Sequence, residues 1–204
     1  MRILSRAIVL LGLSIPLAAA HAGDDSKLAE LFQADQAERA GFAAAATSKA
    51  RMVEYAKQLA VHDAARRAEA EDALHRGRLH TANDYYMAAM LMQHGQRTRD
   101  YELAHALATV VAALAPDDDK SRWLAAASMD RLLVSRHQPL WYGTQPVCEV
   151  GKSSDAQVAF RLDVAEGAVD DGERAAAGIA PLEELKRQAA ARGGELGAQV
   201  QGGH

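Results

Sequence analysis

The sequence predicts a mainly α protein: a multi-helix, tetratricopeptide-like packing followed by a C-terminal β-hairpin and two short helices. Three observations lead there. Ala supplies 45 of the 204 residues and Pro only 5. Ala has the highest helix propensity, and its small side chain lets helices approach closely. Apolar residues recur at helical spacing between residues 26 and 137, and after Pro139 the period shortens to that of a strand. Hydrophobic residues make up 49% and charged residues 25%, the balance of a folded chain rather than a disordered one.

Residues 1–22 read as a Sec-type signal peptide. Arg2 and Arg6 form a basic start, residues 7–20 are mostly apolar, and Ala20-His21-Ala22 is an A-x-A cleavage site followed at once by Asp24 and Asp25. The apolar stretch is too short for a membrane span. The expected location is periplasmic or secreted, with no membrane span in the mature chain. Cleavage removes two of 23 basic residues and leaves 21 against 27 acids, a formal charge of −6. That sign disfavours nucleic acid, whose phosphates need a basic face, and anionic membrane surfaces. The single Cys, Cys148, has no partner in the chain, so no internal disulfide is expected.

The helical region is expected over residues 23–138. Residues 26–46 form a first helix with Leu28, Leu31 and Phe32 on one face, and Gly41 weakens or breaks it. Residues 49–76 form a second, with Met52, Tyr55, Ala56 and Leu59 on its stripe and Gly77 as its stop. Thr81 or Asn83 starts a third that Gly95 ends. Asp100 starts a fourth that Pro116 closes. Asp117, Asp118 and Asp119 cap a fifth, over residues 121–137, where acids also suit the helix dipole.

Residues 139–192 are expected to hold the hairpin and the short helices, packed on the helical region. Residues 140–150 are β-prone, 151–155 are turn-forming, and 158–164 alternate with period two. Helices follow over 170–177 and 181–192, Pro181 suiting a first turn. The tail 193–204 is Gly-rich and expected to be disordered.

The chemical signals are sparse. Gly151-Lys152-Ser153 resembles the end of a phosphate-binding loop, but the required earlier Gly is Pro146 and no helix pattern follows, so it reads as a turn. Gly-x-Ser-x-Gly, His-Glu-x-x-His and Cys-x-x-Cys are absent. His94 and His105 would approach each other across a helix hairpin, with Asp100 nearby, yet the spacing does not assemble the three or four ligands a metal needs. No metal set and no cofactor are assigned. Asp35/Arg39 and Asp63/Arg67 are spaced i, i+4 and read as exposed helix pairs. Asp130-Arg131 stands inside an apolar helix, where a charged couple would anchor the loop that follows.

Residues 91–116 resemble one tetratricopeptide or Sel1-type helix pair, with Ala104 at the close approach and Pro116 at the end; no second copy is present. The chain also resembles a bacterial family known only as a domain of unknown function. The stretches that carry this resemblance are Asp35-Gln36 with Arg39, Asp63 with Arg66, Asp84-Tyr85-Tyr86, Gln93-His94-Gly95, Asp130-Arg131, Gln138 leading to Tyr142-Gly143-Thr144-Gln145, and Asp171 through Arg174 to Pro181-Leu182. It implies candidate positions, not a reaction.

Asp84, Gln93, His94, Asp100, Asp130, Arg131, Tyr142, Thr144 and Gln145 are therefore the candidate polar cluster. It would be either a ligand cleft or a buried network pinning loop 142–145. The expected function is an exported binding module for a small polar ligand or a protein segment. The alternatives are a hydrolase using His94 with an Asp partner as general base, or a purely structural protein. No catalytic residue is assigned.

Overall fold

The computed structural model describes residues 23–45, 49–150 and 158–201, without the side chains of 42–45, 49, 50, 52, 148–150, 158 and 193–201. The proposed signal peptide, the turn at 151–157 and the Cys148 side chain thus lie outside the described residues. Five helices come first: α1 (Ser26–Ala45), α2 (Lys49–His75), α3 (Ala82–Gln93), α4 (Thr98–Leu114) and α5 (Asp119–Ser135). The strands β1 (Val147–Val150) and β2 (Val158–Arg161) follow, then α6 (Asp171–Ala176) and α7 (Leu182–Gln201). The mainly α expectation holds.

Local chemistry explains most boundaries. Thr81 caps α3 in a reciprocal capping box with Asp84. Asp118 caps α5 through the Ser121 amide. Helix α2 ends as expected at Gly77, whose φ of +66° suits the left-handed stop. Its closing bonds are Arg78 N to Ala73 O at 2.8 Å and Gly77 N to Leu74 O at 3.0 Å. The same closure ends α5 at His137, where φ is +56° without the freedom of a Gly.

Several boundaries differ from the sequence expectation. Helix α1 passes through Gly41 without a break. The missing Cβ makes room for Tyr55, whose hydroxyl would lie 2.8 Å from it and donates to the Glu38 carbonyl at 2.5 Å. Helix α4 starts at Thr98 rather than Asp100, because the Asp100 carboxylate reaches back to the amides of Gln96 and Arg97, each at 3.2 Å. Helix α5 starts two residues earlier than expected, its cap being Asp118. Helix α7 is not short and does not stop at Arg192. The helix packs on β2 with Ala189 buried, and extending an anchored helix is cheaper than starting one. The backbone of 193–201 is therefore helical, against the expected disordered tail.

The four-residue links 94–97 and 115–118 make α3, α4 and α5 consecutive helix hairpins, with α1 packed on α2 and α3. Ala88, Ala89, Ala104, Ala108 and Ala127 are fully buried in this seam, and Leu28, Leu91, Met92 and Leu124 fill the space around them. Each buried Leu contributes roughly 1.5–3 kcal/mol. Phe32 meets Tyr86 edge to face at 5.9 Å.

The strands pair antiparallel, Val147 opposite Arg161 and Val150 opposite Val158. Buried Leu140 forms a separate parallel bridge with Val164. Helix α7 packs on β2, with Arg192 over the Phe160 ring at 5.9 Å. Arg122 of α5 donates to the Ala176 carbonyl at 2.8 Å and ties α6 to the helical region. Among the described residues, no helix is long and apolar enough to cross a membrane.

Candidate functional site

One ionic network joins α1, α2 and the end of α3. On α1, Asp35 and Arg39 are one helical turn apart and share a face. Arg39 Nε lies 3.2 Å from Asp35 Oδ1 and 2.9 Å from His94 Nδ1, and its terminal nitrogen lies 2.8 Å from Asp63 Oδ2. Arg66 reaches Glu38 at 2.9 Å and Asp63 at 3.4 Å. Asp35 is fully buried, and Asp63 and Arg66 nearly so.

These groups are not the exposed i, i+4 pairs that the sequence suggests. Asp35 does pair with Arg39, but in the interior. Asp63 pairs with Arg39 across two helices rather than with Arg67. A sequence signal was available: Asp35 lies four and seven residues beyond Leu31 and Leu28, and Asp63 four beyond Leu59. A charge on an apolar stripe is a charge in the core.

His94 sits at the C-cap of α3 with Nδ1 also 3.1 Å from Asp35 Oδ1. Burial lowers its pKa below the usual His value; the hydrogen bond and charge of Asp35 oppose this, and the charges of Arg39 and Arg131 add to it. The ring is neutral at pH 7. Asp35 titrates at about 2: burial would raise it, but the hydrogen bond and charge of His94 and the interactions with Arg39 outweigh burial. Ligand-type atoms of Asp35, Asp63 and His94 lie within 4.8 Å of one another. Arg39 bonds to all three and supplies the positive charge there.

The Gln93-His94-Gly95 segment is a turn locked by its surroundings. Arg67 donates to the His94 carbonyl at 2.9 Å, and the Tyr101 hydroxyl to the Gly95 carbonyl at 2.6 Å. Asp100, fully buried, receives the Arg97 side chain at 2.6 Å. A Cβ on Gly95 would lie 2.3 Å from the Asp100 Cβ, so this position must be Gly. Gln93 turns the other way, onto the Met90 sulfur at 3.0 Å.

A second network pins the loop after α5. Asp130, fully buried, accepts from the amides of Trp141 at 2.8 Å, Tyr142 at 3.0 Å and Thr144 at 2.7 Å, and from the Thr144 hydroxyl at 2.8 Å. Arg174 of α6 donates to the carbonyls of Tyr142 and Trp141, both at 3.1 Å. Gly143 turns the chain at φ +84°. Gln145 continues the loop with its amide 3.3 Å from the Thr144 hydroxyl.

Asp130 and Arg131 are not a bonded couple, because successive helix residues point about 100° apart. Arg131 instead lines a cleft of about 400 Å³ together with Gln96 in the α3–α4 link, Thr98 and Tyr101 at the start of α4, Ser135 on α5, and Gln145. Its Nε is buried without a hydrogen-bond partner among the described residues. Burial pulls its pKa down; Tyr101 opposes, and the charge of Arg39 adds to the fall. Clefts of about 580 Å³ and about 300 Å³ also lie beside Phe32 and Tyr86 and beside Trp123 and α7.

The chain matches no family model, no curated protein and no solved structure. Function is therefore argued from the geometry above. The nine candidate positions do not form one cluster. His94, Asp100, Arg131 and Gln145 stand around the α3–α4 turn and the cleft, and Asp130, Tyr142 and Thr144 form the loop anchor beside it. Asp84 is elsewhere, in the first turn of α3, about 15 Å along the helix from His94. It holds the start of α1 through the Asp25 amide at 2.7 Å. His105 does not meet His94 either; it faces Ala125 O at 3.2 Å and Ser128 in the α4–α5 seam. Arg39, Asp35, Asp63, Arg66 and Arg174 carry the networks and are missing from the nine.

Proposed function

We propose that this protein is an exported binding module that holds a small polar ligand in the Arg131 cleft. One observation carries the reading. Arg131 is a half-buried cation whose Nε is fully buried without a hydrogen-bond partner among the described residues, in the wall of a cleft whose other polar residues are uncharged. Burying a charge without a partner is costly, and a ligand in the cleft would offset that cost. A volume of about 400 Å³ suits a small molecule better than a folded partner.

The hydrolase reading draws on the His94–Asp35 pair at 3.1 Å. Among the described residues, however, no hydroxyl or thiol is hydrogen-bonded to the His94 ring, and His94 lines none of the three larger clefts. Binding is the better supported of the two.

Thermal-shift measurements with a panel of small acids, amides and sugars test the reading. At least one compound should raise the melting temperature of the wild type and leave Gln145→Leu and Arg131→Met unmoved. Equal shifts in all three proteins would place binding outside the cleft. Export is tested separately by mass spectrometry of the periplasmic or culture fraction. Gly23 should be the N-terminus, and accumulation of intact chain in the cytoplasm would contradict it.

A further inference from the structure

We infer that the cleft ligand is a small hydroxy-monocarboxylate, with Arg131 as its counter-ion. This rests on the binding reading and adds the chemical class. Other buried or half-buried guanidiniums in the described structure have oxygen partners. Arg39 and Arg66 have carboxylates, Arg67 has the His94 carbonyl and Asp100, and Arg174 has two carbonyls and Asp171. Arg131 stands apart from them. The nearby charge of Arg39 repels it, and none of its described neighbours in the cleft is a carboxylate. A guanidinium presents a planar fork of donors that matches a carboxylate.

The remaining walls narrow the class. Gln96, Thr98, Ser135 and Gln145 offer neutral donors and acceptors, which suit hydroxyl groups on the ligand. Val134 and Pro146 add a short apolar side. No described carboxylate lines the cleft to receive an ammonium, so an amino acid zwitterion fits poorly. One guanidinium neutralises one charge, and a chain with 27 acids repels multiply charged anions.

Titration calorimetry on the purified protein tests this with lactate and gluconate as probes. Lactamide, glycine and inorganic phosphate are the comparisons. Lactate or gluconate should bind, and lactamide should bind about tenfold or more weakly, since it lacks the charge that strengthens a hydrogen bond to Arg. Arg131→Lys keeps the charge but not the fork and should weaken acid binding; Arg131→Met should abolish it. Circular dichroism of both variants verifies the fold, and Arg131→Lys serves if Arg131→Met fails to fold. Equal binding of lactamide, or binding of lactamide or sugars alone, would overturn the carboxylate while leaving the polar-ligand reading in place. Preference for phosphate or glycine would overturn the class too. If neither acids nor neutral compounds bind, both readings fall.

Discussion

Asp130 and Arg174 hold opposite sides of the same peptide segment. Asp130 takes the amide hydrogens of Trp141, Tyr142 and Thr144, while Arg174 donates to the carbonyl oxygens of Trp141 and Tyr142. The charges sit on different helices, and the polar backbone between them satisfies each. Buried polar groups need such partners, and here a loop supplies them to two ions at once.

Asp130→Asn should therefore be costly. The carboxamide has one acceptor oxygen, and its NH2 would face donors. A loss of about 2–4 kcal/mol in urea melts is expected. Arg174→Met should also destabilise, and the double variant should lose less than the two singles together. Strict additivity would show that the two residues do not share the loop.

Acid should weaken the fold in two stages. His94 has a lowered pKa in the folded protein, so its contribution is complete above the unfolded value near 6.5 and declines as pH falls from there through the folded pKa. Asp35, at about 2 in the fold, adds a loss as pH falls below about 4 toward 2, worth about 2 kcal/mol. Urea melts from pH 8 to pH 2 measure both. His94→Gln should remove the upper stage and shrink the lower, because His94 helps to hold the Asp35 pKa down; an unchanged profile would mean that His94 is not the titrating group.

Gly95→Ala should destabilise by about 1–3 kcal/mol, the usual range for overpacking, because the new methyl meets the Asp100 side chain. Gly95→Ala combined with Asp100→Gly, which removes the Cβ that the new methyl meets, should cost less than the sum of the single effects. Calorimetric melting of the three variants decides it.

His137→Gly should stabilise, by up to about 1 kcal/mol. His137 is the one described non-Gly residue with positive φ, and Gly relieves the left-handed penalty at a helix stop. A lower melting temperature would show that the imidazole makes a contact worth more than the strain.

Much of the helical architecture was legible because caps and stops are local. Thr81 with Asp84, the acids before α5, and Gly77 act within a few residues. The end of α7 was not legible, since its anchors on the hairpin are distant in sequence. The loop anchor was readable in outline: Asp130 in an apolar helix announced a need for partners, and the loop at 142–145 meets it. Which way Arg131 points could not be read, because the tilt of α5 against α4 decides it. The spacing of Asp35 and Asp63 to Arg points to exposed pairs, but their place on the apolar stripe is what sets their burial.

The alanine seam reaches further than the core it fills. Ala88 and Ala89 on α3 are fully buried, and His94 rides on the same helix only one to two turns away. The distance from His94 to Asp35 is therefore a readout of how close the helices lie. A larger side chain at Ala89 would act as a wedge, displacing the imidazole from Arg39 without touching either residue. The ionic site is calibrated by the smallest side chains in the protein, and its tolerance to change is set in the hydrocarbon interior as much as among the charges.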